Sequence, residues 1–336
     1  MPFLRKALEP EEALSQLKSC CAGLEGNQGK LTLESIKVTR HKPGRRCLVE
    51  YALRLEHGSG PDEVWIVLGK ARAKGLDKKA HALLQRFRRS GFGPESEDGI
   101  SVPEPLGLVP EFRMWLQRKI PGLPLTELLL KANGVKWARR AAEAAYKIHQ
   151  ANLPAGRAHT MADELRILGE CLAKVVNLKP EWKIRIEQLL AACERLGATV
   201  PEPHPSGIHR DFYPAQVVVE TVPQSPPLKE ELLFRSWVID FDLYCQGDPA
   251  LDIGNFIAHM TEQAVRELGD PLGLVRQERA LEERFLELAG PDCQLAIKAY
   301  GTLTLARHIY LSTQFPTRQA FTERLIELCE QRLGLV

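Results

Sequence analysis

The sequence predicts an α+β protein of two lobes, the first built on an antiparallel sheet and the second, larger one helical. Three observations carry this. Strand-like runs at residues 31–40, 47–55 and 64–70 follow one another through short Pro- and Gly-containing turns, which suits consecutive antiparallel strands. From residue 125 onward the apolar residues recur mostly at helical spacing. Between these regions, the run Ile120-Pro121-Gly122-Leu123-Pro124 interrupts both patterns, and we divide the chain there into a first lobe, 1–121, and a second, 122–336. A chain of 336 residues, 44% of them hydrophobic, can bury the core that either one large or two medium domains require.

Residues 10–24 read as an amphipathic helix leading into the first strand. The first two strands meet at His41-Lys42-Pro43-Gly44-Arg45-Arg46, and Gly58-Ser59-Gly60-Pro61 turns the second into the third, which ends at Lys70. A helix at 77–88, the loop Gly91-Phe92-Gly93-Pro94 and the segment 100–109 lead to a further strand at 112–118. Helices follow at 125–132 and 135–151, the latter with His149 in its core or at its end, and two more lie within 158–197. The Pro-rich loop 201–205 then leads to strands at 217–221 and 232–239 around a hairpin tip at 223–227. From 251 to the end the pattern is helical, including 294–311 and 321–333.

A net charge of +2 and a pI near 8.1, without a basic tail, give no footprint for nucleic acid. Eight cysteines occur without a Cys-x-x-Cys pair, and the adjacent Cys20-Cys21 is a poor metal or disulfide arrangement, so reduced thiols in a cytoplasmic protein are the simpler account. The charged start and the lack of any long apolar run predict neither export nor a membrane span.

The chemistry concentrates between Ile208 and Asp252. One cluster is His209-Arg210-Asp211-Phe212-Tyr213-Pro214-Ala215-Gln216; the other is Ile239-Asp240-Phe241-Asp242, running on to Gly247-Asp248-Pro249-Ala250-Leu251-Asp252. An acid, an amide five residues later, and a second acid after an apolar strand form the pattern that moves a phosphoryl group. Such transfer asks for a carboxylate to orient a hydroxyl and oxygen ligands to hold Mg2+ on phosphates. Asp211 takes the first role, and Gln216 and Asp240 the second. His209 reads as a buried brace of the loop. Asp252 fits either a helix cap or a brace of the same loop.

At these residues the sequence resembles the aminoglycoside phosphotransferase and choline kinase-like family of small-molecule kinases, relatives of the protein kinases. That family's catalytic loop reads His-Gly-Asp-x-x-x-x-Asn and its metal motif Ile-Asp-Phe/Trp, followed by Gly-Asp-Pro-x-x-Asp. Here Arg210 stands for Gly and Gln216 for Asn. The resemblance implies a bilobal protein kinase-like fold with ATP and Mg2+ as cofactors. It implies that Lys70 neutralises nucleotide phosphates, with Lys74 its nearby competitor, and that adenine lies against backbone near Leu116 and Gln117. The His41–Arg46 turn would then cover the phosphates or remain a solvated hairpin, and the helix at 77–88 lacks the glutamate that pairs with such a lysine, leaving Gln85 or another segment to orient it. No Asp-Phe-Gly or Ala-Pro-Glu follows Asp240, which favours a small hydroxyl acceptor such as a sugar, amino alcohol or aminoglycoside over a polypeptide. The alternative is a nucleotide-binding pseudokinase or assembly factor without turnover. Arg307 and His308 reach an acceptor in one reading and only pack a helix in the other.

Overall fold

The computed structural model describes residues 3–20, 30–56, 62–221 and 234–336. The turn expected at 58–61, the hairpin tip at 223–227 and the continuation of the first long helix to residue 24 lie outside them. The chain forms two compact units, Met1–Gly122 with Glu220–Ile239, and Leu123–Val219 with Asp240–Val336. A single cut in chain order cannot express the grouping of Glu220–Ile239 with the first unit.

In the first unit, helices Phe3–Leu8 and Pro10–Cys20 precede a five-stranded antiparallel sheet. Its strands are β1 (Lys30–Lys42), β2 (Arg46–Glu56) and β3 (Glu63–Arg72), followed in spatial order by Met114–Arg118 and Pro105–Val109. In β2 the inward positions Cys47, Val49, Tyr51, Leu53 and Leu55 alternate with half-buried ones, the period-two pattern of a sheet covered on one face. Ala13 and Leu17 from the second helix join that core, and the Tyr51 hydroxyl donates to the Ala7 carbonyl at 3.0 Å. Gly69 on β3 is required by close packing, because a Cβ there would overlap the Met114 side chain. The strand expected at 112–118 begins only at Met114. Phe112 belongs to a 3-10 turn, Pro110–Phe112, and Arg113 takes a left-handed conformation, φ 47°, to enter the strand. The later segment Phe234–Val238 pairs in parallel with Ile100–Ser101.

The second unit is mostly helical. Helices Leu125–Leu128, Gly134–Ala151, Met161–Leu178 and Lys183–Ala198 come before the Ser206–Ile208 strand, and Pro249–Leu268, Val275–Ala289, Gln294–Thr313 and Thr322–Arg332 come after Cys245–Gly247. The first of these is shorter than the expected 125–132, ending in the turn before Gly134. Thr160 and Asp163 close a reciprocal capping box that starts Met161–Leu178. Cys245–Gly247 pairs with Ser206–Ile208 on one side and Ala158–His159 on the other. Gly254 and Gly301 let helices Pro249–Leu268 and Gln294–Thr313 approach closely, since a Cβ on Gly254 would meet the backbone of Ile297 and Gly301. Those two helices carry Asp252, Asn255 and Arg307 toward one region of the unit.

Candidate active site

Ser206–Ile208 ends directly before His209, so the strand delivers the loop 209–216, and the 3-10 turn Pro214–Gln216 closes it. Asp252, fully buried four residues into its helix, fixes this loop by its backbone. Its Oδ2 accepts from the His209 N–H at 2.9 Å and its Oδ1 from the Arg210 N–H at 2.7 Å. The same Oδ2 faces His149 Nε2 at 2.9 Å, which therefore carries the ring proton. Asp252 braces the loop, while the helix cap is Asp248, whose carboxylate accepts from the Ala250 N–H at 2.9 Å. Three residues on, one helical turn along the same face, Asn255 Nδ2 donates to the Phe212 carbonyl at 2.8 Å. The flanks of Asp211 are thus held by backbone bonds to two side chains of one helix.

His209 is completely buried, and its ring lies 4.8 Å from that of Phe241 and 5.8 Å from that of Phe212. This packing joins the loop to the second acidic motif. Asp240 sits two residues after Phe234–Val238 in a left-handed conformation, φ 66°, that turns the chain into Phe241–Leu243. Its charge acts on Asp211: burial pushes the Asp211 carboxyl above its ordinary range and Asp240 pushes it further, while His209, Arg307 and Arg210 oppose both. Arg210 also has a positive φ, 69°, a conformation that glycine adopts without strain and that explains glycine in the related motif.

Gln216 is buried at 5% exposure, and its side-chain amide makes no hydrogen bond to protein among the described residues. Its amide oxygen is a neutral donor of the kind a divalent cation takes. No group of three or more His, Cys, Asp or Glu that could hold a metal occurs among the described residues. Gln216 and Asp240 carry the oxygen donor types that a hard cation takes when phosphate and water complete its shell.

Behind the loop lies a polar chain that joins Arg307 to residues with no motif of their own. Arg307 donates to Asn255 Oδ1 and to Glu164 Oε2, each at 3.0 Å, and Glu164 Oε1 faces His159 Nε2 at 2.6 Å. Burial opposes ionisation of Glu164, yet the His159 hydrogen bond and the Arg307 charge hold its carboxyl below the usual range. The readable signal was the i, i+3 spacing of Asp252 and Asn255; no local pattern announces Glu164. His308 is a packing residue rather than an exposed acceptor contact, at 2% exposure. It stands edge-on to His259 at 4.4 Å, and His259 stacks on Tyr213 at 4.5 Å. Burial, reinforced by Arg307, Arg318 and Arg266, lowers His308 to about 3, and burial with His308 and the same arginines lowers His259, so both rings are neutral near pH 7.

In the first unit, Lys70 pairs with Trp115 across the sheet, and its Nζ lies 5.1 Å from the indole centroid. Leu116 and Gln117, expected to meet adenine through their backbones, lie in a strand paired on both sides, with β3 and with Pro105–Val109. Interior strands commit their N–H and C=O groups to the ladder. Arg118 N–H still donates to Glu104 and Lys119 N–H to Ile66, so backbone beyond the ladder begins only at Ile120.

The fold is shared with solved kinases. A choline/ethanolamine kinase family protein from Mesorhizobium loti aligns over 96% of this chain and 94% of its own, with 12% identity and a TM-score of 0.58. A structure of the amicoumacin kinase hAmiN aligns over 99% and 96%, with 12% identity and a TM-score of 0.54. A glucosamine kinase aligns over 96% and 97%, with 14% identity and a TM-score of 0.52. These likenesses establish the protein kinase-like architecture of the small-molecule kinases. No curated protein matches by sequence. The model of the phosphotransferase enzyme family matches residues 70–285, more than half of the chain and the whole span from Lys70 through Asp252, and the protein belongs to that family.

Proposed function

We propose that the protein is an ATP- and Mg2+-dependent kinase that phosphorylates a hydroxyl of a small molecule. The observation that carries this is the joining of two acidic motifs within one unit: the His209 ring packs on Phe241 while Asp240 acts electrostatically on Asp211. Asp211 accepts the hydroxyl proton as the acceptor oxygen bonds to the γ-phosphorus and the bond to the nucleoside diphosphate breaks. Gln216 and Asp240 hold the divalent ion, which when bound offsets charge on the phosphates. Lys70 steadies the phosphates, and the backbone of 120–122 reads the adenine. Tyr213, two residues from Asp211 and stacked on the neutral His259 ring, offers a flat wall for the acceptor.

Free thiols at every described cysteine and a nucleotide substrate support a cytoplasmic setting. Among the described residues no helix is long and apolar enough to cross a membrane. Complexes of the similar kinases support the nucleotide and ion: the glucosamine kinase holds glucosamine with ADP and inorganic phosphate, and the amicoumacin kinase holds AMP-PNP and Ca2+.

The test is a screen of hydroxylated metabolites and antibiotics with ATP and Mg2+, the phosphorylated product identified by mass spectrometry. Acceptor-stimulated turnover that disappears in Asp211→Ala while nucleotide binding persists supports the kinase. Nucleotide binding without turnover across the panel overturns it in favour of a binding protein.

A further inference from the structure

The second unit contains a cavity of about 620 Å³, and none of Asp211, Gln216 or Asp240 lines it. It lies where the start of helix Met161–Leu178, the end of helix Lys183–Ala198, the loop 200–205 and residues 246–248 converge. Its volume is that of a site for a small organic molecule. Met161, Leu165 and Val200 give it an apolar wall, and the exposed Ala162 and Ala198 leave it wide. Among the described residues, charge on the walls has one sign: Glu194, Glu202 and Asp248 line it, and no lysine or arginine does. Low-dielectric walls around carboxylates focus their field on the space between them.

Two wall residues belong to structure that holds the phosphotransfer loop. Asp248 caps the helix bearing Asp252 and Asn255 by accepting from the Ala250 N–H. His159 begins the chain through Glu164 and Arg307 to Asn255. These two are committed to internal bonds, which leaves Glu194 and Glu202, both exposed, as the charges open to a ligand.

We propose that this cavity is a second ligand site, separate from the phosphotransfer residues, for a small molecule that carries a protonated amine on an apolar body. The apolar part lies on Met161, Leu165 and Val200, and the ammonium group faces Glu194 and Glu202. Neither the kinase reading nor its acceptor enters this assignment, so binding without turnover remains a positive result.

The experiment is calorimetric titration of the full chain at pH 7 with octylamine, octanoate and octanol, which share an apolar body and differ in charge. Octylamine is expected to bind at least tenfold more tightly than the other two. Binding is expected to weaken at least tenfold in the surface double variant Glu194→Gln/Glu202→Gln and in the cavity-filling Ala162→Trp/Ala198→Trp, and to be unchanged in Asp211→Asn. Equal affinity for the three probes, no binding of octylamine, or retention of its affinity in either double variant overturns the proposal. Equal weakening in Asp211→Asn overturns the separation of the two sites.

Discussion

Asp252→Asn is the sharpest probe of how the catalytic loop is held, because it removes one charge and almost no volume. The wild-type carboxylate serves three donors, with Oδ2 shared by the His209 N–H and His149 Nε2 and Oδ1 taking the Arg210 N–H. The better orientation of the new amide keeps its oxygen on the two donors and turns NH2 toward the Arg210 N–H, donor against donor. His149 cannot rescue the opposite orientation by moving its proton, since its Nδ1 is buried without a hydrogen-bond partner. One charge-assisted bond is lost and one N–H is left facing a donor, worth about 3 kcal/mol. The lost bond also anchors the residue held at φ 69°, directly before Asp211, so the loop relaxes where placement of the base matters most. A misplacement of about 1 Å costs roughly 100-fold in rate. Urea unfolding and turnover with the acceptor found by screening measure the two effects, and amide exchange at 209–212 should quicken. A stability loss below about 0.5 kcal/mol, with unchanged exchange, would refute the assignment of Asp252 as the brace.

Three further outcomes follow from the same geometry. Arg210→Gly removes left-handed strain and is expected to change stability by no more than about 1 kcal/mol, toward greater stability. It also removes a positive charge that opposes the upward shift of Asp211, so the acid limb of the rate profile, where the base becomes protonated as pH falls, should move to higher pH. Glu164→Gln should cost about 2–3 kcal/mol at pH 7. Because the folded Glu164 carboxyl is depressed, its contribution is present above the ordinary glutamate range and disappears as pH falls through the lower folded value, so urea midpoints of wild type and variant should converge only below that folded value. Gln216→Ala should raise the Mg2+ needed for half-maximal turnover about tenfold, the loss of one neutral ligand, whereas Gln216→Asn should retain turnover.

The strands and helices were legible where a single period governed the sequence. Alternation in β2 survives as alternating burial over the whole strand, and the helical spacing of 135–151 and 294–311 reappears as Gly134–Ala151 and Gln294–Thr313. Legibility ended where backbone, not side chains, makes the contact. Leu116 and Gln117 have ordinary buried side chains, and only the strands on both sides reveal that their backbone is occupied. It ended again where partners are remote in sequence: Glu164, Asn255 and Arg307 come from three helices, and each alone is an ordinary polar residue on a helix face. Arg210 joins both cases. From the sequence it was a departure from a motif. In the fold the position demands a left-handed backbone, which glycine meets freely and arginine meets at the cost of strain, held by the Asp252 bond to its own N–H. The brace is therefore more necessary in this chain than where glycine occupies the position. It follows that Asp252→Asn should be less damaging in an Arg210→Gly background than alone, a coupling that a double-mutant cycle reads directly, since the two residues share one hydrogen bond.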